Sequence, residues 1–111
     1  NVIETPADKV QMPKDAEPEF VFSHHVSYSD VDTNGHANNA MYMQWAMDAV
    51  GYDITSARPV DRFTINFNHE IKPDASVDVY RVVREEEDGL HVFVEGRLGD
   101  ISSFCVEIVF R

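Results

Sequence analysis

Between Asn39 and Val50 the chain places Met41, Met43, Trp45, Ala46, Met47 and Val50, and only Gln44 and Asp48 are plainly polar inside that stretch. Those two residues are four apart, so on a helix they form one narrow stripe and nearly all of the remaining circumference is apolar. A surface helix needs one apolar face, whereas this one has to be enclosed. Its ends are marked too. Asn38 or Asn39 can cap the N-terminus, and Gly51 suits the left-handed residue that stops a helix. The enclosing material must come from the same core, because 111 residues make one ordinary domain and 43% hydrophobic with 11% aromatic residues is enough to fill it.

That material follows in sequence. After Pro59 nearly everything reads as strand with turn punctuation, giving strands over about 61–71, 76–86, 90–98 and 101–110. They are separated by Lys72-Pro73-Asp74, Asp88-Gly89 and Gly99-Asp100, and the last two are short hairpin signals that make neighbours antiparallel. Residues 20–28, with Phe20, Phe22, His24, Val26 and Tyr28, supply a fifth strand. A helix of ~12 residues is ~18 Å long, and strands of ~10 residues reach ~33 Å, so a curved antiparallel sheet can enclose it lengthwise. The expected fold is α+β, a single hotdog over residues 20–111, preceded at 1–19 by a Pro-containing linker or extended arm.

Charge narrows the function. Twenty acidic against nine basic side chains give a formal charge of −11, which repels phosphate backbones and anionic lipid, so neither a nucleic acid nor a membrane surface is expected as partner. No apolar run approaches the ~20 residues of a bilayer span, and the first residues lack the basic and apolar regions of a signal peptide. The expectation is a soluble, cytoplasmic protein. Asn1 in place of an initiator Met suggests a piece of a longer chain. The single cysteine, Cys105, excludes an internal disulfide framework and a multi-cysteine zinc cage. No metal or other cofactor is expected.

Polar chemistry concentrates just before the helix, in Asp30-Val31-Asp32-Thr33-Asn34-Gly35-His36-Ala37-Asn38-Asn39. Asp30, Asp32, Asn34 and Gly35 match the opening of an EF-hand calcium loop, but the position that requires a bidentate glutamate is Met41 and a strand stands where that motif has a helix. A reaction centre fits better. Free amides and the macrodipole at a helix N-terminus favour negative charge, such as a carbonyl oxygen carries under attack. Asp32, Asn34 and His36 alternate, so on an extended segment they can project to one side. Thioester hydrolysis requires little more than a polarised carbonyl, an activated water and a thiolate leaving group.

The stretch from Tyr28 to Asn39, followed by Tyr42, Trp45 and Asp48, resembles the signature of acyl-acyl carrier protein (acyl-ACP) thioesterases, hotdog enzymes that release fatty acids. A second block, Ile65-Asn66-Phe67-Asn68-His69-Glu70-Ile71-Lys72-Pro73, is similar to that family's strand ending in a glutamate. The resemblance covers about residues 20–110 and corresponds to the C-terminal half of a family whose members carry two hotdog units. It implies a catalytic set of Asp32, Asn34, His36 and Glu70, with Asn38, Asn39 and Tyr42 on the substrate. In this scheme Glu70 or Asp32 is the general base for water, His36 orients or shares the proton, and Asn34 with the helix amides holds the carbonyl oxygen. The implied partners are an acyl carrier protein or CoA thioester and another hotdog domain, either a second copy or a missing half. An acyl-CoA thioesterase and a non-catalytic hotdog module for dimerisation or acyl binding are the alternatives.

Some relatives carry a cysteine directly after the glutamate, where this chain has Ile71. Cys105 lies in the final strand, far from the motif, and reads as a small buried residue, so water is the expected nucleophile. Phe67 stands in place of a family tyrosine. Strict alternation puts Phe63, Ile65, Phe67 and Ile71 on the core face and Glu70 on the other, so a role for Glu70 requires a bulge or twist near Asn68 or His69. Adjacent His24 and His25 face opposite ways and cannot share a metal. Because carrier proteins are acidic, docking would need a local basic patch, for which Arg58, Arg62, Lys72, Arg81 and Arg84 are the candidates.

Overall fold

Helix α1 runs over Asn39–Val50, the bounds that the apolar stretch and Gly51 predict. Gln44 and Asp48 are exposed, Tyr42, Trp45, Ala46, Ala49 and Val50 are buried, and Met41, Met43 and Met47 are half-buried against the core. Gly51 ends the helix at φ 99°, where residues bearing a Cβ are strained. The sheet also reaches this end. The Arg81 guanidinium donates to the carbonyls of Ala49 (3.0 Å) and Val50 (2.7 Å), while its Nε donates to Glu19 at 2.9 Å. A cation thus sits on the negative end of the helix dipole and satisfies carbonyls that no helical amide reaches. A short helix, α2, follows at Tyr52–Thr55.

The protein is described by a computed structural model over residues 3–4, 10–27, 39–69 and 71–111. Its strands are β1 (Ile3–Glu4), β2 (Glu19–His25), β3 (Val60–Phe67), β4 (Ser76–Glu86), β5 (Gly89–Leu98) and β6 (Ile101–Phe110). They form one sheet in the order β1-β3-β6-β5-β4-β2. Every neighbouring pair is antiparallel except β1–β3, which is parallel. The core face alternates along each strand, with Val77 and Val79 on β4, Val92 and Val94 on β5, and Phe104, Val106 and Ile108 on β6 packing with Trp45, Ala46 and Ala49 of the helix. Each such side chain contributes about 1.5–3 kcal/mol relative to exposure. This is the expected hotdog. Among the described residues no helix is long and apolar enough to cross a membrane.

Both hairpins form where the turn residues place them. Leu98 pairs with Ile101 across Gly99-Asp100, and Gly99 has φ 64°, as the first central residue of a two-residue hairpin can require. Glu86 pairs with Gly89, so β5 starts one residue earlier than expected.

Three features depart from the sequence reading. The two-residue β1 pairs with Phe63 and Thr64 although nothing periodic precedes Phe20, because this pairing uses the backbone of β3 and needs no side-chain pattern. The same N-terminal stretch is tied to the other half of the sheet through an ion pair between Asp15 and Arg84. Strand β3 ends at Phe67, not residue 71, and Phe67 is 46% exposed rather than core. Thr64 and Asn66, which the same alternation places with Glu70 on the face opposite the core, are buried. They lie opposite Glu107 and Cys105 on β6, the strand between β3 and β5.

Cys105 is buried. Desolvation, with smaller contributions from Glu95 and Glu107, pushes its thiol up to about 12, which keeps it protonated and unreactive at neutral pH.

His91 is held at both ring nitrogens, Nδ1 by Glu107 at 2.8 Å and Nε2 by Asp88 at 2.7 Å, with its side chain 12% exposed. Only the doubly protonated ring can donate to both carboxylates. Burial is the largest single influence and disfavours that charge, but the hydrogen bonds to Asp88 and Glu107 together outweigh it and hold the His91 pKa above 6.5. A raised folded-state pKa contributes stability fully below 6.5 that is lost as pH rises through the raised value. The urea midpoint is therefore expected to fall as pH increases through that window, and His91→Gln is expected to remove this slope; an unchanged slope would refute the assignment.

Candidate active site

The N-terminal turn of α1 meets the sheet through Tyr42. Its ring lies 5.0 Å from Phe67, at the end of β3, and 5.1 Å from Phe104 on β6, both edge-to-face. Trp45, one turn on, stacks near Tyr42 at 5.4 Å and His24 at 5.0 Å. The aromatic cluster fixes which end of the sheet faces the start of the helix, because edge-to-face pairs prefer such centroid separations.

At that end the sheet is irregular. Asn68 and His69 both donate their amides to the Ser103 carbonyl, at 2.8 and 3.0 Å. Two successive residues facing one partner residue constitute a bulge, at the place the sequence required it. Ser103 is fully buried and its Oγ donates back to the His69 carbonyl at 2.7 Å. Asn66 Nδ2 donates to Asn68 Oδ1 at 3.3 Å. On its other side, Ser103 is the residue that β6 passes over between Phe104, paired with Gly96, and Ser102, paired with Arg97. One buried serine therefore sits at irregularities shared by three strands. Sequence alone offers no signal for it, since Ser102-Ser103 reads as ordinary strand.

Beyond the bulge, Ile71 returns to the core and the chain turns into β4 through Asp74 at φ 68°. The turn is closed by backbone hydrogen bonds between Asp74 and Val26 (3.0 Å) and between Val26 and Ala75 (2.9 Å). His69, Lys72, Ala75 and Leu98 line a cleft of about 410 Å³ here.

Asp32, Asn34, His36, Asn38 and Glu70 lie outside the described residues, as does the Asp30–Gly35 stretch with its partial likeness to a calcium loop. Asn39 opens α1, and Tyr42 is buried against Phe67 and Phe104 rather than open to solvent. The first turn of α1 contains no acidic residue, so no carboxylate of that turn neutralises the positive end of the dipole. His24 and His25 diverge as expected: His24 lies on Trp45, while His25 is 3.5 Å from Asp74. Among the described residues no group of three or more His, Cys, Asp or Glu is placed to hold a metal.

The candidate basic patch does not assemble as five free cations. Arg58 forms a forked pair with Glu85 (3.0 and 3.4 Å) and donates to the Arg111 carbonyl. Arg81 is committed to the helix end and Glu19, and Arg84 to Asp15. The excess of carboxylates in the chain engages these cations internally. Arg62 and Lys72 are exposed and have no ion pair among the described residues.

A mostly antiparallel sheet enclosing an apolar helix, with an irregular strand end at the helix N-terminus, defines a hotdog domain. Residues 13–109 match the family described as acyl-ACP thioesterase C-terminal domain, and the chain belongs to that family. Among solved structures it is similar to the 12:0-ACP thioesterase from Umbellularia californica (TM-score 0.82, 21% identity, 94% of this chain and 39% of that one). An acyl-ACP thioesterase from Bacteroides thetaiotaomicron is also similar (TM-score 0.71, 22% identity, 96% and 43%). So is a 1,4-dihydroxy-2-naphthoyl-CoA thioesterase from Synechocystis (TM-score 0.72, 13% identity, 82% and 79%). The chain thus spans less than half the length of either acyl-ACP enzyme. A search of curated proteins gave no match.

Proposed function

We propose that this domain hydrolyses acyl thioesters, with acyl-ACP as the favoured substrate and a free fatty acid as product. The observation that carries this reading is the meeting of the α1 N-terminal turn with the bulged end of β3 through Tyr42, Phe67 and Phe104. The residue after that bulge is position 70, and the residues before that helix are positions 30–38. A bulge shifts strand alternation by one residue, the change that a glutamate at 70 needs in order to leave the face that strict alternation assigns it.

In this mechanism Glu70 or Asp32 takes a proton from water as it attacks the thioester carbonyl. His36 orients the water or shares its proton, and the carbonyl oxygen, as its charge grows, is held by Asn34 and the amides opening α1. The tetrahedral intermediate collapses to a carboxylic acid and a thiolate, which accepts the proton. Asn38, Asn39 and Tyr42 border the acyl group. The length of the acyl-ACP relatives supports assembly with a second hotdog domain, and β3 is the strand positioned to continue the sheet, since among the described residues β1 covers it only at Phe63 and Thr64.

The test is hydrolysis of acyl-ACP and acyl-CoA of several chain lengths, followed by thiol release. Turnover of acyl-ACP above the uncatalysed rate is expected. Turnover of acyl-CoA alone would move the domain to a CoA thioesterase role, and absence of turnover with retained acyl-chain binding would leave a non-catalytic module.

A further inference from the structure

Arg58, Arg81, Arg84, Arg97 and Arg111 are each held by a carboxylate of this chain. Lys72 is different. Its side chain is exposed on the rim of the 410 Å³ cleft, beside His69, and no described carboxylate pairs with it. In a chain of net charge −11, an ammonium at a cleft with no described ion-pair partner is a point that can attract an anion. Among the described residues the rest of the lining is Ala75 and Leu98, which gives an apolar surface with a cation at one side. A phosphate attached to a slender, mostly uncharged chain is complementary to that combination. The cleft also has a fixed frame, because the His69 backbone is anchored at both its amide and its carbonyl to Ser103.

We infer that Lys72, with His69, binds the phosphate of the phosphopantetheine arm that carries the acyl thioester, the arm lying along the cleft between Ala75 and Leu98. This rests on the thioesterase reading and extends it to the carrier end of the substrate. Lys72 is a binding residue in this scheme and takes no part in proton transfer.

Calorimetric titration of the full chain with phosphopantetheine and with pantetheine tests the inference without requiring turnover. The phosphorylated probe is expected to bind about 10-fold more tightly, the increment of one charge-assisted hydrogen bond. Lys72→Gln is expected to abolish that preference and Lys72→Arg to retain it, with the preference shrinking as salt is raised. Equal affinities of the wild type for the two probes, or a preference that survives Lys72→Gln, would overturn it. Repeating the titration with CoA and with holo-acyl carrier protein identifies the source: weakening by Lys72→Gln for one or both assigns it, and weakening for neither overturns the inference. Hydrolysis assays on the same preparations separate the two readings. A phosphate preference without turnover of any thioester counts against hydrolysis alone, and turnover without a phosphate preference counts against this subsite alone.

Discussion

Glu70→Gln and Asp32→Asn, made separately and assayed on an acyl thioester, are expected to divide sharply, one lowering kcat by about 10²–10⁴-fold and the other by less. Both replacements keep the shape of the side chain and remove its ability to accept a proton. The carboxylate that acts as base should therefore lose turnover with little change in KM, because substrate binding does not depend on proton abstraction. The second carboxylate would act through charge and orientation, so its loss is milder. The proposed mechanism places the two carboxylates and His36 together, and under it the acidic limb of the kcat/KM profile belongs to the set rather than to one residue. The variant lacking the base should lose that limb. Full turnover in both variants would refute the mechanism, whereas similar large losses in both would mean that the carboxylates act as one unit.

What could be read from the sequence follows from the range of the forces involved. The bounds of α1 were legible because an apolar surface interrupted only at Gln44 and Asp48, and stopped by Gly51, is a local pattern with one physical solution. The β4–β5 and β5–β6 hairpins were legible for the same reason, each turn having its own residue chemistry. The β1–β3 pairing was not, because a two-residue parallel contact depends on backbone groups that every residue carries. Phe67 was misassigned because alternation says which face a residue is on but not where the covering helix begins; here Tyr42 covers one side of its ring and the strand ends. The bulge at Asn68–His69 was deduced from the chemistry demanded of Glu70, but its physical agent, Ser103, lies 34 residues away in sequence and carries no local mark. The fate of the basic residues was likewise non-local. Arg58, Arg81 and Arg84 looked like a docking patch in the sequence, yet each met a carboxylate or a helix end that only the fold brings near. Tyr42 lies on the helix as expected, but its burial against Phe67 and Phe104 ties it to packing. The proposed catalytic set rests on family resemblance more than on pattern, since Asp32, Asn34 and His36 stand 34 or more positions before Glu70 and only a particular fold could join them.

Gly96→Ala is expected to lower stability by about 2–3 kcal/mol, seen as a shift of the urea midpoint with the slope m unchanged. The cause is space. Gly96 lies opposite Phe104 across the β5–β6 ladder, and a methyl group built on it would lie 2.2 Å from Cε1, 2.7 Å from Cζ and 2.8 Å from Cδ1 of that ring. Phe104 is fully buried, with Tyr42 at 5.1 Å and Trp45 at 6.3 Å, so the ring can yield only by pressing on α1. A double-mutant cycle isolates this contact: Phe104→Leu should cost less in the Gly96→Ala background than alone, because the smaller side chain relieves the overlap. Gly99→Ala is the contrasting control. Nothing lies within 4 Å of its Cβ position, but its φ of +64° penalises any side chain, so a loss of about 1 kcal/mol with no coupling to Phe104 is expected. Tyr42 joins the ring of Phe104 to the first turn of α1, so under the proposed function displacement at Gly96 should also raise KM for acyl thioesters in molecules that remain folded. Wild-type stability in Gly96→Ala would show that the ring has room to move, and would remove the rigid aromatic link on which the position of the helix N-terminus depends.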